Sequence, residues 1–243
     1  MDKVILVTGG SRGLGECLVK RLSGIEGTAV YFTYASSGER AAKVEEEASN
    51  IYSIKCDQKD EDSVRLCHKA INERHGRLDV LINNACASFM PCDMLESGWG
   101  RFQEQLDVNV RGSYYHIREA AALMKLQGEG RIINILSSYV INTPPEKLSF
   151  YITAKYALLG MTRAAAAELT RFGITVNAVS PGLMQTELSG YLPPKYLKVC
   201  AERHPMKRLT TPSDVADTVE HLVSDKAGFL CGVNIPVNGG ESY

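Results

Sequence analysis

The sequence predicts an α/β domain of the doubly wound, Rossmann type: a single parallel sheet of about seven strands flanked by helices. Three observations lead there. Short β-branched apolar runs of buried-strand length alternate with helical segments along the whole 243-residue chain. The first run opens directly into a glycine-rich turn and a helix. Several later runs end in hydroxyl or amide residues, at the strand ends where open α/β sheets bind their ligands.

The length suits one sizeable domain, so residues 1–243 read as a single dinucleotide-binding and catalytic unit with a short lid over about 183–205. The 27 basic and 28 acidic residues are dispersed, which points away from nucleic acid and anionic membranes. No stretch approaches the ~18 apolar residues of a membrane span. The seven cysteines include no C-x-x-C pair, and the N-terminus shows no signal-peptide pattern, so the expectation is reduced thiols in a cytoplasm. Nothing calls for a metal.

Val4 to Val7 is the first strand, and Glu16 to Leu22 the first helix. Between them Gly9, Ser11, Arg12, Gly13, Leu14 and Gly15 make a candidate phosphate cradle: glycines let the backbone approach a pyrophosphate, and the helix N-terminus favours its charge. The spacing is Thr-Gly-x-x-x-Gly-x-Gly rather than G-x-G-x-x-G. After the second strand, Ala29 to Thr33, come Tyr34, Ser36 and Ser37, with no carboxylate until Glu39. Hydroxyls with Arg12 and Arg40 nearby suit a 2′-phosphate, hence NADP(H) rather than NAD; solvated surface arginines are the alternative. A charged helix, Gly38 to Ala48, leads to a third strand, Ile51 to Lys55, then Asp57, which either caps a turn beside an adenine or starts a loop.

Glu61 to His75 is amphipathic, and Val80 to Ile82 is a strand running into Asn83-Asn84-Ala85-Cys86, where asparagines can tie strand ends together. For 89–100 a substrate wall and an ordinary loop both stand. A long helix is expected over Phe102 to Leu126, with Asn109 in its middle marking either a local bulge that frees a carbonyl or an exposed polar position. Arg131 to Leu136 is the fifth strand, ending in Ser137 and Ser138; beyond Pro144-Pro145 an Ala/Leu-rich helix carries Tyr151 and Lys155, four apart and on one face. Ile174 to Val179 runs to Pro181-Gly182, residues 183–204 form the lid, Pro212 to Ser224 is a helix, and Asn234 to Val237 is the last strand.

A serine hydroxyl, a tyrosine and a lysine suit carbonyl reduction. An ammonium near a phenol lowers its pKa from about 10, the phenol passes a proton to a substrate oxygen, and the hydroxyl holds that oxygen as charge develops. Tyr-x-x-x-Lys alone fits a surface pair equally well.

Taken together, Thr8-Gly9-x-x-x-Gly13-x-Gly15, Asp57, Asp79, Asn83-Asn84-Ala85, Asn109, Ser138, Tyr151-x-x-x-Lys155, Pro181-Gly182 and Thr186 resemble the classical short-chain dehydrogenase/reductase family, in particular its 3-oxoacyl-acyl-carrier-protein reductases. Ser138, thirteen residues before Tyr151, has that family's usual spacing. The resemblance implies Tyr151 as general acid/base, Lys155 on the nicotinamide ribose, Ser138 on the substrate carbonyl, and Asn109 supporting a proton relay. It also implies Asp57 near adenine, Asn84 and Ala85 along the cofactor cleft, and Thr186 beside the carboxamide. A dimer or tetramer through two long helices is implied too, the Ala164-Ala165-Ala166-Ala167 face allowing close approach. Cys86 stands where the family usually has glycine, which bears on the loop's conformation and places a thiol near the cofactor. The implied reaction is NADPH-dependent reduction of a 3-oxoacyl thioester, with an acyl carrier protein as possible partner landing on Lys125, Arg131 and Arg171; Phe172 replaces a usual basic residue. A dehydrogenase of another alcohol, sugar or steroid, and a cofactor-binding regulator without turnover, are the competing readings. An enoyl reductase fits less well, since those relatives space the lysine farther from the tyrosine.

Overall fold

The computed structural model describes residues 3–242. Seven parallel strands form one sheet: β1 (Lys3–Val7), β2 (Thr28–Tyr34), β3 (Ile51–Lys55), β4 (Val80–Asn83), β5 (Gly130–Ile135), β6 (Ile174–Pro181) and β7 (Asn234–Val237), in the order β3-β2-β1-β4-β5-β6-β7. The winding reverses between β1 and β4, and a crevice opens there at the carboxyl edge. The predicted strands stand within one or two residues of their expected limits.

Alternation along each strand sends side chains to two cores. Ile5, Val7, Val30, Phe32, Val80 and Ile82 meet α1 (Gly13–Ser23), α2 (Gly38–Glu45) and α8 (Pro212–Val223) on one face. Val4, Leu6, Tyr31, Leu81 and Ile132 meet α3 (Glu61–His75), α5 (Ser113–Gln127) and the end of α6 (Ser149–Leu169) on the other. Both faces are covered, which is why the strands read as unbroken apolar runs. Each fully buried Leu or Ile contributes roughly 1.5–3 kcal/mol.

Two segments differ from expectation. The long helix over 102–126 is α4 (Trp99–Leu106), a π-helical turn (Asp107–Gly112) and α5. The turn surrounds Asn109, and its displaced Val108 carbonyl accepts from the Gln58 side chain. Of the two readings of Asn109, the bulge stands, and the residue is buried, not exposed. The segment expected as a lid, 183–205, contains a helix, α7 (Pro194–Arg203), started by Pro193 and Pro194; its helical periodicity is masked by the Tyr and Pro content. A parallel bridge joins Met184 to Thr210 at the base of this segment.

Between α3 and α5, His68 Nε2 and His116 Nδ1 lie 3.0 Å apart in full burial, and the outer nitrogen of each ring has no hydrogen-bond partner. Burial pushes His68 down to about 4 and His116 well below its ordinary value. A depressed folded-state value means that the unfolded chain binds the extra protons. Stability from this pair is therefore intact above about pH 6.5 and is lost as pH falls toward 4. Unfolding free energy should fall by up to about 1.4 kcal/mol per pH unit per histidine in that window. Denaturant titrations between pH 7.5 and 4.5 check this: the slope should flatten in a His68→Leu/His116→Leu variant, and equal slopes in both proteins would refute the assignment.

Candidate active site

The crevice is built from the glycine turn after β1. Thr8 Oγ1 accepts from the backbone N–H groups of Asn84 and Ala85, each at 3.0 Å, and Asn84 Nδ2 donates to the carbonyls of Thr8 and Gly9 at 2.9 and 3.1 Å. Gly9 has φ +67°, and a Cβ there would stand 2.9 Å from Ala85 Cα; a Cβ on Gly15 would be driven into the Gly9 carbonyl. Only glycine permits this approach of the two loops. No side chain caps the N-terminus of α1 at Arg12, so its first-turn amides are available to an anion.

Gly9, Ser11, Arg12, Gly13, Leu14 and Gly15 line one end of a cavity of about 570 Å³. Tyr34, Ser36, Asp57, Asn84, Ala85, Tyr151, Lys155, Pro181, Gly182 and Thr186 line it as well, so most of the expected residues come together. Uncapped amides, an arginine and paired hydroxyls make a donor set that fits the phosphates of a dinucleotide. Asp57 does begin a local turn, accepting from the Lys59 amide at 3.0 Å.

At the other end, Lys155 is buried and its Nζ donates to the Ile135 carbonyl at 2.8 Å, 5.7 Å from the Tyr151 ring centroid. A polar chain fixes the helix that carries both: Asn83 Nδ2 donates to Asn134 Oδ1 (2.8 Å), Asn134 Nδ2 to Thr162 Oγ1 (2.9 Å), and Thr162 Oγ1 to the Leu158 carbonyl (2.8 Å). With the ammonium bonded to Ile135, its expected downward pull on the phenol does not prevail. Burial, and next the negative charge that Cys86 carries once it ionises, push Tyr151 well above its ordinary value, with the Ser137 hydroxyl acting downward. Burial also lowers Lys155.

Of the two adjacent serines, the cavity is lined by Ser137 and not by Ser138, the one expected there. Ser137 lines the cavity and starts a 3₁₀ turn (Ser138–Val140), its Oγ accepting from the Tyr139 amide. Ser138 is 1% exposed, lies outside the lining, and its Oγ has no partner. Counting back from Tyr151 crosses a loop whose length is free to change, whereas the β5 register, fixed by pairing with β4 and β6, places Ser137 at the cavity. Asn109 also stands behind the lining, fully buried, with Nδ2 donating to the Gln105 carbonyl and Oε1 at 3.0 and 2.8 Å, and its Oδ1 unpartnered.

Segment 89–100 begins at the cavity wall. The Phe89 ring lies 4.7 Å from Tyr151 and 5.8 Å from Tyr191, and lines the cavity with Tyr139, Leu148 and Leu183. Sequence reading left the segment of Phe89 open between wall and loop and did not single out Tyr139 and Tyr191, because short turns and irregular loops carry no periodicity to orient a side chain. Cys86 takes an ordinary negative φ, since the positive-φ non-glycine residues among those described are Lys147 and Lys207. Burial pushes its thiol up, which keeps it protonated and poorly reactive.

Lys125, Arg131 and Arg171 do not face this cavity. They lie in the last turn of α5, at the start of β5 and just after α6, at the amino edge of the sheet, about 20 Å away along β5. Arg131 pairs with Asp225 at 2.9 Å, while Lys125 and Arg171 lie 4.5 and 4.8 Å from the Phe172 ring centroid. Within one chain the trio therefore stands at the opposite edge of the sheet from this cavity.

Residues 9–242 match the family model described as enoyl-(acyl carrier protein) reductase. The chain is 36% identical over 246 residues to the 3-oxoacyl-[acyl-carrier-protein] reductase FabG of Staphylococcus aureus (strain N315), covering 99% of this chain and 98% of that protein. Among solved structures it is similar to 3-ketoacyl-(acyl-carrier-protein) reductase from Brucella melitensis complexed with NADH (TM-score 0.92, 29% identity, 99% and 98% covered). It is also similar to ElxO with NADP bound (TM-score 0.89, 30% identity, 99% and 98% covered).

Proposed function

The chain belongs to the short-chain dehydrogenase/reductase family of oxidoreductases acting on carbonyl and CH–OH groups, and we propose that it reduces the ketone of a 3-oxoacyl thioester with NADPH. One observation carries the reading: Tyr151, Lys155 and Ser137 share a cavity with the glycine turn and uncapped helix of a dinucleotide cradle. The acyl part is supported by the apolar and aromatic wall of Phe89, Tyr139, Leu148, Leu183 and Tyr191, and by the names of the curated relatives. Carrier-borne substrate is part of the same reading, and Lys125, Arg131 and Arg171 are not its support at this cavity.

When bound, the reduced nicotinamide supplies the hydride. Gly9, Ser11, Gly13, Leu14 and Gly15 would hold the pyrophosphate, Arg12, Tyr34 and Ser36 the 2′-phosphate, Asp57 the adenine side, and Asn84, Ala85, Pro181, Gly182 and Thr186 the nicotinamide side. Tyr151, kept protonated at neutral pH by its burial, donates its proton to the carbonyl oxygen. Lys155 stabilises the phenolate left behind and holds the ribose; Ser137 donates a hydrogen bond to the same oxygen. Asn109 acts from behind through its π-helical turn and a proton relay. Residues 183–205 act as the lid, and α5 and α6 as the interface of a dimer or tetramer. No helix among the described residues is long and apolar enough to cross a membrane, and a cytoplasmic site of action is part of the proposal.

The test assays wild type with NADPH and the same 3-oxoacyl group on acyl carrier protein and on a small thiol, the carrier form being the better substrate. Tyr151→Phe should lose about 10²-fold or more in kcat while still binding NADPH. Ser137→Ala should lose about 10-fold or more, and Ser138→Ala should stay within a few-fold of wild type. A Ser138→Ala loss exceeding that of Ser137→Ala would reverse the serine assignment, and an active Tyr151→Phe would sink the mechanism. For the cofactor, kcat/KM should favour NADPH over NADH, and Arg12→Ala should erase that preference by weakening NADPH alone. Equal weakening of both cofactors would contradict the 2′-phosphate role.

A further inference from the structure

Glu187 opens the 3₁₀ turn of the lid (Glu187–Ser189) and lines the cofactor crevice, although nothing in the preceding mechanism uses it. Its two carboxylate oxygens face two elements of the dinucleotide cradle. Oε1 pairs with Arg40 Nη1 of α2 at 3.2 Å, and Oε2 stands 3.3 Å from where a Cβ on Gly13, the first residue of α1, would project. The turn that carries Glu187 is braced: Ser189 Oγ accepts from the Thr186 amide at 3.0 Å and donates to the Met184 carbonyl at 2.7 Å.

An uncapped helix N-terminus and a guanidinium attract a carboxylate for the same reasons that they attract a phosphate. We propose that Glu187 is a built-in competitor of the cofactor. Its carboxylate straps the lid across the crevice to α1 and α2, and dinucleotide binding exchanges that carboxylate for cofactor phosphate, freeing the lid. Lid position and cofactor occupancy are then one linked equilibrium. The proposal rests on the dinucleotide reading of the crevice and adds to it the displaced group.

NADH is the discriminating probe, because it must clear the cradle yet has no 2′-phosphate to lose by removal of Arg40. Dissociation constants for NADH and NADPH, read from nicotinamide fluorescence, are compared for wild type, Glu187→Gln, Arg40→Ala and the double variant. Glutamine keeps the size of the half-exposed side chain and removes its charge. The expectation is about two- to five-fold tighter NADH binding in Glu187→Gln and in Arg40→Ala, the range set by a partly exposed ion pair. The double variant should gain nothing beyond either single one, and the gain should shrink at high salt as screening weakens the strap in wild type. Unchanged or weaker NADH binding in Glu187→Gln overturns the strap while leaving the dinucleotide reading in place. Failure of wild type and all variants to bind either cofactor overturns both.

Discussion

Beyond the ladder that pairs β1 with β4 as far as Val7 and Ile82, the loops leaving the two strands are tied by one threonine hydroxyl and one asparagine amide, and the site depends on that closure. In a doubly wound sheet the two halves diverge at the switch point, so the loops leaving β1 and β4 have no ladder to join them. Thr8 Oγ1 takes two backbone amides of the Asn84-Ala85 loop, and the Asn84 side chain returns two bonds to the Thr8 and Gly9 carbonyls. Four hydrogen bonds thereby cross the junction, and the glycines bring the backbones close enough to form them. The helix N-terminus of α1 is then aimed into the crevice instead of at a neighbouring loop.

A second polar chain does the same for the chemistry. Asn83, Asn134 and Thr162 run from β4 through β5 into α6, and so fix the helix from which Tyr151 and Lys155 project. In a buried setting such bonds are strong and hold the three side chains in one arrangement, although Asn83 Oδ1 is left without a partner. Burial dominates the electrostatics at the far end. With Lys155 bonded to the Ile135 carbonyl, the phenol is in its acid form, which is the form that a ketone reduction consumes.

The fold was legible because seven apolar runs and their intervening helices carry strong periodicity, and the glycine turn because few backbones need Gly9, Gly13 and Gly15 in that order. At Asn109 the sequence offered a bulge and an exposed polar position side by side, because asparagine sits uneasily in a helix interior, and only packing decides between them. What was not legible passes through loops. Ser137 and Ser138 are adjacent in sequence, and strand register, not residue count, decides which one faces the cavity. Phe89, Tyr191 and Glu187 lie in segments without a period. Lys125, Arg131 and Arg171 showed their charge, but the edge of the sheet they occupy follows from which ends of α5, β5 and α6 carry them. Lys155 was expected to act on Tyr151 directly, and its bond to a backbone carbonyl could not be read from spacing.

The closure at Thr8 is tested most directly by Thr8→Val, which keeps the side chain's shape and removes the acceptor for two buried amides. Stability and cofactor affinity should be measured on the same protein, by denaturant unfolding and NADPH fluorescence titration. Both should fall together, stability by about 1–3 kcal/mol, with NADPH binding weakened in parallel. A variant that loses stability yet binds NADPH as wild type does, or that loses neither, would contradict the dependence of the site on this tie.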